Sequence, residues 1–186
     1  IHSAMPMRTA MKLCPHAIVL KGTRGQYSKY SRWVTDTIAS KVPLFEKASI
    51  DEFYCDLTGM DKFFNVSQYT RELREHIIKE TGLPISCGLS SAKFISKIAT
   101  NEAKPNGFLE VPHGKEKEFL WPLKIEKINC VGKQTEQQLK NFGIYTIEDI
   151  ARTPVEILEK YVGSWGQSLW HKAHGVGNAD IETDWE

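Results

Sequence analysis

Two adjacent carboxylates, Asp51 and Glu52, are the side chains of this sequence best suited to bind a metal ion. They precede residues 53–58, where apolar and polar side chains alternate with the period of a half-buried strand. Neighbouring side chains of a strand point to opposite faces. Both carboxylates can therefore serve one metal site only at the mouth of the strand, or where a twist or bulge redirects one of them. Without such a context, an Asp-Glu pair is more often a solvated turn.

The composition is that of a globular protein of 186 residues, with 41% hydrophobic and 25% charged residues. The net charge of +1 gives no global indication of a nucleic-acid binder, although it does not exclude a local basic patch. The four cysteines form no Cys-x-x-Cys pair, which indicates neither a zinc site nor a disulfide framework. No segment approaches the roughly 20 apolar residues of a membrane span. We therefore expect a soluble, cytoplasmic protein.

Hydrophobic periodicity predicts the elements that position the two carboxylates. Strands are predicted over 17–20, 42–46, 50–58 and 83–89, and helices over 7–13, 27–40, 67–82 and 90–101. The alternation of strands and helices from residue 50 onward favours an α+β sheet covered on one side by two helices. Short helices follow over 133–141, 147–151, 154–161 and 167–173. These short helices indicate a small all-α domain after about residue 113.

A second segment combines a glycine, two lysines and a turn. It reads Gly-Leu-Ser-Ser-Ala-Lys-Phe-Ile-Ser-Lys-Ile-Ala over 88–99 and is followed by Lys-Pro-Asn-Gly over 104–107. On its own, the segment is compatible with a capped amphipathic helix that exposes its lysines and ends in a turn.

A third segment precedes the helix predicted over 133–141 and reads Asn129-Cys130-Val131-Gly132. A glycine-containing turn of this kind presents the unpaired N–H groups of a helix N-terminus, which bind phosphate. The pattern therefore predicts a helix–hairpin–helix that holds a DNA phosphate without sequence preference. A simple αα-hairpin, with Gly143 ending the helix, is the alternative.

Together, the three segments resemble the Y-family translesion DNA polymerases, especially their bacterial polymerase IV group. Residues 49–56 resemble the family's palm motif Ser-Leu/Ile-Asp-Glu-Ala-Tyr-Leu-Asp, and residues 88–107 resemble its helix pattern that ends in Lys-Pro-Asn-Gly. Ala92 departs from the Asn of that pattern. Cys130 replaces the first glycine of the usual Pro-Gly-Val-Gly hairpin, which is expected to weaken close backbone approach to a phosphate. Residues 3–16 resemble part of the family's fingers.

The resemblance implies a palm-type antiparallel sheet covered by helices and followed by a helical thumb. The implied units are partial fingers with the start of the palm (1–47), the palm with the carboxylates (48–112), a helix–hairpin–helix thumb (113–177) and a linker toward a little-finger domain (178–186). The family carries a further metal-binding Asp upstream of the position of Ser3, so we expect a fragment that is inactive alone. An unpaired sheet edge would then favour self-association.

The resemblance also implies low-fidelity, template-directed DNA synthesis in translesion synthesis and DNA repair. Two Mg²⁺ ions would act, with Asp51 bridging them and Glu52 beside the ion that activates the primer hydroxyl. Lys104 would contact the triphosphate of the incoming nucleotide. The residues expected to contact DNA are Val131, Gly132, Lys133 and Thr135. The expected partners are primer–template DNA, deoxynucleoside triphosphates and, through a region beyond this chain, a sliding clamp, with no membrane involved.

Two other classes of protein share parts of this pattern. One is a non-catalytic DNA-binding module, in which a helix–hairpin–helix is attached to an inert α+β scaffold. The other is a nucleotidyl cyclase with a similar palm topology, which is disfavoured because a cyclase gives no reason for the hairpin at Val131 and Gly132. Provided that the missing N-terminal segment is restored, an Asp51→Ala variant that loses DNA synthesis and retains DNA binding would separate a polymerase from a binding module, which would change in neither respect.

Overall fold

The computed structural model describes residues 1–183, and helices make up nearly half of this part of the chain. The elements in chain order are α1 Met7–Leu13, α2 Gln26–Ala39, β1 Leu44–Lys47, β2 Phe53–Asp56, α3 Val66–Thr81, β3 Cys87–Leu89, α4 Lys93–Glu102, β4 Phe108–Glu110, α5 Glu116–Leu120, α6 Lys133–Asn141, α7 Ile147–Arg152, α8 Val155–Val162 and α9 Trp165–Ala173. Within residues 1–183, no helix is long and apolar enough to cross a membrane.

The strands form two separate pairs, and the predicted α+β class is confirmed. β1 and β2 are antiparallel, with Leu44 opposite Asp56 and Lys47 opposite Phe53. β3 and β4 are parallel, because α4 carries the chain back to the end at which β3 began. In the described part of the chain, no ladder joins β2 to β3. The antiparallel pairing implied by the resemblance therefore holds for β1 and β2, whereas β3 and β4 are parallel.

The strand predicted over 17–20 was wrong. The structure assigns no strand there, and Ile18 and Leu20 are 87% and 84% exposed. A strand requires a neighbouring strand for its N–H and C=O groups, and this segment has no such neighbour among residues 1–183. The strand predicted over 50–58 is confirmed in position but is shorter, because a bend precedes Phe53.

Two hydrophobic clusters hold these elements together. The smaller cluster lies between α2, α3 and the β1–β2 pair and contains Val34, Ile38, Val42, Leu73 and Ile77. The larger cluster joins α4 to the helices α5 to α9, and its fully buried members include Ile95, Leu139, Ile150, Leu158 and Leu169. Helix α4 therefore packs in the same core as the helical half of the chain.

Gly88 allows β3 to lie directly against α4. A Cβ atom at this position would be 2.3 Å from the Ser96 carbonyl oxygen and 2.7 Å from the Thr100 nitrogen. Because both neighbours are backbone atoms of a packed helix, no side chain fits there. The close approach fixes the height of α4 above the sheet, and with it the positions of the lysines on that helix.

The segment that follows α9 returns to the start of α4. The Lys93 N–H donates to the Asn178 carbonyl oxygen at 3.2 Å, and the Glu182 N–H donates to the Glu46 carboxylate at 2.9 Å. Gly177 lies against the ring of Phe94. Residues 177–182 thus contact α4 and β1. Asp184, Trp185 and Glu186, the end of the predicted linker, lie outside the described residues.

Candidate functional site

Asp51 and Glu52 lie in the turn that enters β2, at the mouth of the strand. The Ser49 N–H donates to the Glu52 carbonyl oxygen at 3.2 Å, which closes this turn. The Ser49 hydroxyl donates to Asp51 Oδ1 at 2.8 Å. Asp51 is exposed, and the Glu52 side chain is 42% exposed. The turn therefore meets the geometric condition under which adjacent carboxylates can serve one site.

Glu52 forms an ion pair with Lys97, which projects from α4. One turn earlier on the same helix, Lys93 forms an ion pair with Glu46 of β1 at 2.5 Å. The Lys93 ammonium also lies 5.1 Å from the centre of the Tyr54 ring. Helix α4 therefore supplies one ammonium group to β1 and one to the turn that enters β2.

The electrostatics of the strand mouth are dominated by carboxylates. Burial acts to raise the pKa of Glu46, but hydrogen bonds from Lys93 and from the Glu182 N–H outweigh it and hold that pKa below its usual value. Burial, together with the negative charges of Glu52 and Glu46, raises the pKa of Tyr54. Glu46 is therefore ionised at neutral pH, and Tyr54 stays a neutral phenol.

The donor groups at the strand mouth fit magnesium. No group of three or more His, Cys, Asp or Glu side chains able to hold a metal occurs among residues 1–183. Magnesium does not require such a group, since it is commonly held by one or two carboxylates together with substrate phosphates and water. Burial raises the pKa of Cys55 to about 12 and that of Cys87 to about 11. These neighbouring thiols stay protonated, and so the oxygen atoms of Asp51 and Glu52 are the available ligands.

Lys104 lies in the turn after α4 and is exposed. Arg74 of α3 fixes this turn, because its Nε donates to the Ile85 carbonyl oxygen at 2.7 Å and its Nη2 donates to Asn106 Oδ1 at 2.9 Å. No hydrogen bond or ion pair joins Lys104 to Asp51 or Glu52 within the described residues. The triphosphate contact expected of Lys104 stays a prediction.

The predicted hairpin leaves the N-terminus of α6 open. Gly132 is the N-cap residue, and no side chain caps the helix. The N–H groups of Lys133, Gln134 and Thr135 have no hydrogen-bond acceptor among residues 1–183. A Cβ atom added to Gly132 would meet nothing within 4 Å. The end of α6 is therefore accessible to an anion.

The side chains of the hairpin divide between the core and the surface. Val131 is buried and belongs to the larger hydrophobic cluster, so it anchors the turn. Lys133 is exposed and Thr135 is half-buried. Cys130 is exposed and has φ +80°, the left-handed conformation for which the family pattern has glycine.

Helix α7, which follows in the same domain, has a closed N-terminus. Thr146 Oγ1 accepts from the Asp149 N–H at 3.2 Å, and Asp149 Oδ2 accepts from the Thr146 N–H at 2.8 Å, which is a capping box. The Ile147 N–H donates to the Leu123 carbonyl oxygen at 2.9 Å, and the Glu148 N–H donates to the Trp121 carbonyl oxygen at 3.2 Å. The sequence analysis missed this cap, although its Thr-x-x-Asp pattern is visible.

Residues 1–101 match the impB/mucB/samB family, and residues 113–144 match the helix–hairpin–helix motif of the same family group. The chain belongs to the impB/mucB/samB family. The match over 113–144 covers the open N-terminus of α6 and favours the helix–hairpin–helix over a simple αα-hairpin.

Individual relatives of this impB/mucB/samB chain are named as DNA polymerases. It is 38% identical over 183 residues to DNA polymerase IV of Dehalococcoides mccartyi, and this alignment covers 98% of this chain and 47% of the relative. It is 37% identical over 190 residues to DNA polymerase IV of Xanthomonas euvesicatoria, with coverage of 100% and 52%. The chain thus spans about half the length of these curated relatives.

Solved structures show the same relationship. The DinB family error-prone DNA polymerase of Sulfolobus solfataricus superimposes with a TM-score of 0.89 at 25% identity, covering 98% of this chain and 56% of that chain. An insertion ternary complex of Dbh DNA polymerase gives a TM-score of 0.87 at 25% identity, covering 98% and 54%. The resemblance of this impB/mucB/samB chain to the Y-family polymerases is confirmed.

Proposed function

We propose that this chain supplies the palm and thumb of a low-fidelity, template-directed DNA polymerase that acts in translesion synthesis and DNA repair. The observation that carries the proposal is the carboxylate pair at the mouth of β2, held beneath a helix that supplies lysine. The names of the relatives support it. In this proposal the palm covers 48–112, the thumb covers 113–177, partial fingers precede them over 1–47 and a linker follows over 178–186.

Asp51 and Glu52 are the residues that would hold magnesium. Magnesium bound there would activate the primer hydroxyl and neutralise charge on the triphosphate. Ser49 keeps one oxygen of Asp51 oriented through its hydroxyl, and the backbone turn keeps both carboxylates at the strand mouth. Lys104 would place an ammonium group against the triphosphate, where negative charge develops.

The open N-terminus of α6 would bind a phosphate of the primer–template duplex. Its free N–H groups donate hydrogen bonds, Gly132 leaves room for a close approach, and Lys133 adds positive charge. Val131 anchors the turn in the larger hydrophobic cluster, and Thr135 lies in the first turn of α6. Contacts to phosphate give affinity without reading sequence, as a template-directed enzyme requires.

The remaining partners follow from the proposed activity. Deoxynucleoside triphosphates would be the substrates and two Mg²⁺ ions the cofactors. A sliding clamp would be contacted outside this chain, and the location would be the cytoplasm, as we expect for a bacterial DNA polymerase IV.

Primer extension by a chimera tests the proposal. The parts before and after this chain are taken from Dehalococcoides mccartyi DNA polymerase IV, and extension is measured with magnesium and four deoxynucleotides. Asp51→Asn is expected to lower the extension rate by about 10²–10³-fold or more with DNA affinity unchanged. Asp56→Asn is the matched control, because Asp56 accepts from the Thr58 N–H at 2.8 Å and lies farther along β2. Equal rates for Asp51→Asn and the unmodified chimera would refute the catalytic assignment.

A non-catalytic DNA-binding module is the second candidate. The open N-terminus of α6 favours it specifically, since this end is complete within the chain and needs no further segment. In that case the 186-residue chain binds duplex DNA, and Asp51→Asn changes neither binding nor any rate in the chimera.

A further inference from the structure

The two lysines on the sheet-facing side of α4 make ion pairs of different kinds. Lys93 meets Glu46 and Lys97 meets Glu52, and the lysines are one helical turn apart. If both pairs only tied the helix to the sheet, their surroundings would be similar. The surroundings differ in the exposure of the carboxylate and in the number of other groups that each pair contacts.

Both members of the Lys93–Glu46 pair make further hydrogen bonds. The Glu46 side chain is 12% exposed, and its carboxylate also accepts from the Glu182 N–H at 2.9 Å. Lys93 Nζ also donates to the Asp180 carbonyl oxygen at 3.2 Å. Separation of these charges would leave several buried groups without partners, which is strongly unfavourable. This pair is therefore a permanent structural contact.

The Lys97–Glu52 pair has fewer contacts, and its carboxylate is more exposed to water. Neither side chain has another hydrogen-bond or ion-pair partner among residues 1–183, and the Glu52 side chain is 42% exposed. Asp51, the adjacent carboxylate, is exposed and uses one oxygen to accept from Ser49. The Lys97 side chain is 20% exposed, much like the 22% of Lys93, so the two pairs differ at the carboxylate. Water can reach the Glu52 carboxylate when the charges separate, and no second protein contact has to break.

We infer that Lys97 is a positioning residue that holds the Glu52 carboxylate in the metal-free protein and releases it to a divalent cation. This inference rests on the proposed function, because it concerns the same carboxylates. Lys97 keeps Glu52 at the strand mouth rather than free in solvent. Lys97 also opposes cation binding, since its ammonium competes for the same oxygen atoms. Lys97 thereby sets the concentration of divalent cation at which the site fills.

Manganese binding to the 186-residue chain tests the inference, with the paramagnetic broadening of the Phe53 and Tyr54 amide resonances as the site-specific readout. Lys97→Met is expected to tighten binding at these amides about thirtyfold, the scale of a unit charge about 4 Å from a divalent ion in water. Lys97→Arg retains the charge and is expected to restore the original affinity. Lys127→Met is the matched control, since it removes a lysine paired with Glu102 at 2.6 Å elsewhere on the surface.

The outcomes separate the inference from the proposed function. If manganese broadens these amides equally in Lys97→Met and the unmodified chain, the inference is overturned and the metal site stands. Weaker binding in Lys97→Met also overturns it, because Lys97 would then only support the site. If no concentration broadens them in either protein, or if Glu52→Gln binds as well as the unmodified chain, Glu52 holds no cation for Lys97 to oppose and the inference is overturned. The proposed function is decided separately, by Asp51→Asn in the chimera. Amide spectra that match elsewhere show that each variant is folded.

Discussion

Helices α6 and α7 lie close together in the sequence and begin in opposite ways. The first three N–H groups of α7 are all bound by the protein, through Thr146, Leu123 and Trp121. The first three N–H groups of α6 have no acceptor within residues 1–183. Both ends carry the same partial positive charge of a helix N-terminus. The protein itself binds the N–H groups of one end, and the other end is accessible to an anion.

The difference shows that α6 lacks the local stability that a capping side chain gives to α7. A capping residue at Gly132 would stabilise α6, because Ser, Thr, Asp and Asn bind the unpaired N–H groups. Such a side chain would occupy the position of a bound phosphate. A substitution at the N-terminus of α6 or α7 leaves the other helix unchanged, so the unchanged helix serves as an internal control.

The largest effect is expected from Gly132→Asp. The aspartate caps α6 and places a negative charge where a phosphate would bind, so the affinity of the chain for primer–template DNA should fall about tenfold or more. The free energy of unfolding should rise by about 1 kcal/mol, from the new cap. Fluorescence anisotropy at fixed salt and urea unfolding measure the two quantities.

Gly132→Ala is the matched control, because nothing lies within 4 Å of the added Cβ and φ is −76°. It should fold normally and lose less affinity than the aspartate. An unchanged affinity in Gly132→Asp would rule out a phosphate at the end of α6.

The next effect is expected at the closed end. Thr146→Ala removes the acceptor for the Asp149 N–H and should lower the free energy of unfolding by about 0.5–2 kcal/mol, measured by urea denaturation. DNA affinity should not change, because this end has no group free for a ligand. Thr146→Ser retains the hydroxyl and should recover most of the stability. A loss of DNA affinity in a folded Thr146→Ala protein would contradict the separation of roles.

Acid should weaken the same cap. Burial acts to raise the pKa of Asp149, but hydrogen bonds from Tyr145 and Thr146 outweigh it and hold the pKa below the ordinary value of 3.8. A lowered folded-state pKa contributes stability above the unfolded-state value, and this contribution is lost as pH falls through the folded-state pKa. The unfolding free energies of the unmodified chain and Asp149→Ala should therefore differ at pH 6 and converge below about pH 3.8. A constant difference down to pH 2.5 would contradict this role of the carboxylate.

The smallest effect is expected from Cys130→Gly. A left-handed φ of +80° is strained for cysteine and unstrained for glycine, so folded α6 should gain about 0.5–1 kcal/mol. The shorter residue should also raise DNA affinity slightly, since it permits closer approach. Urea denaturation and anisotropy titrations test both directions. Lower stability in the glycine variant would indicate that the Cys130 side chain stabilises the turn.

The sequence predicted features that depend on neighbouring residues. Alternation located β2, and periodicity gave α6 with its observed bounds. The placement of Asp51 and Glu52 at a strand mouth followed from the same alternation. The roles of Asp51, Glu52, Lys104, Val131, Gly132, Lys133 and Thr135 stay predictions.

The remaining features depend on contacts between distant parts of the chain. Lys97 was visible as an exposed helix lysine, but its pairing with Glu52 depends on how closely Gly88 lets β3 approach α4. The parallel pairing of β4 with β3 depends on the path of α4. The hydrogen bond from Arg74 to Asn106 likewise joins residues that are far apart in the sequence. Periodicity contains no information on such distances.

Cys130 places an exposed thiol in the hairpin turn that precedes α6. Cys130 is exposed, whereas Cys14, Cys55 and Cys87 are half-buried, and burial keeps the thiols of Cys55 and Cys87 protonated. Alkylating reagents should therefore modify Cys130 before the two strand cysteines. A duplex seated on α6 would cover that sulfur and slow its modification. The rate at which Cys130 is alkylated therefore measures how much of the protein has DNA bound at the hairpin. This measurement needs no mutation.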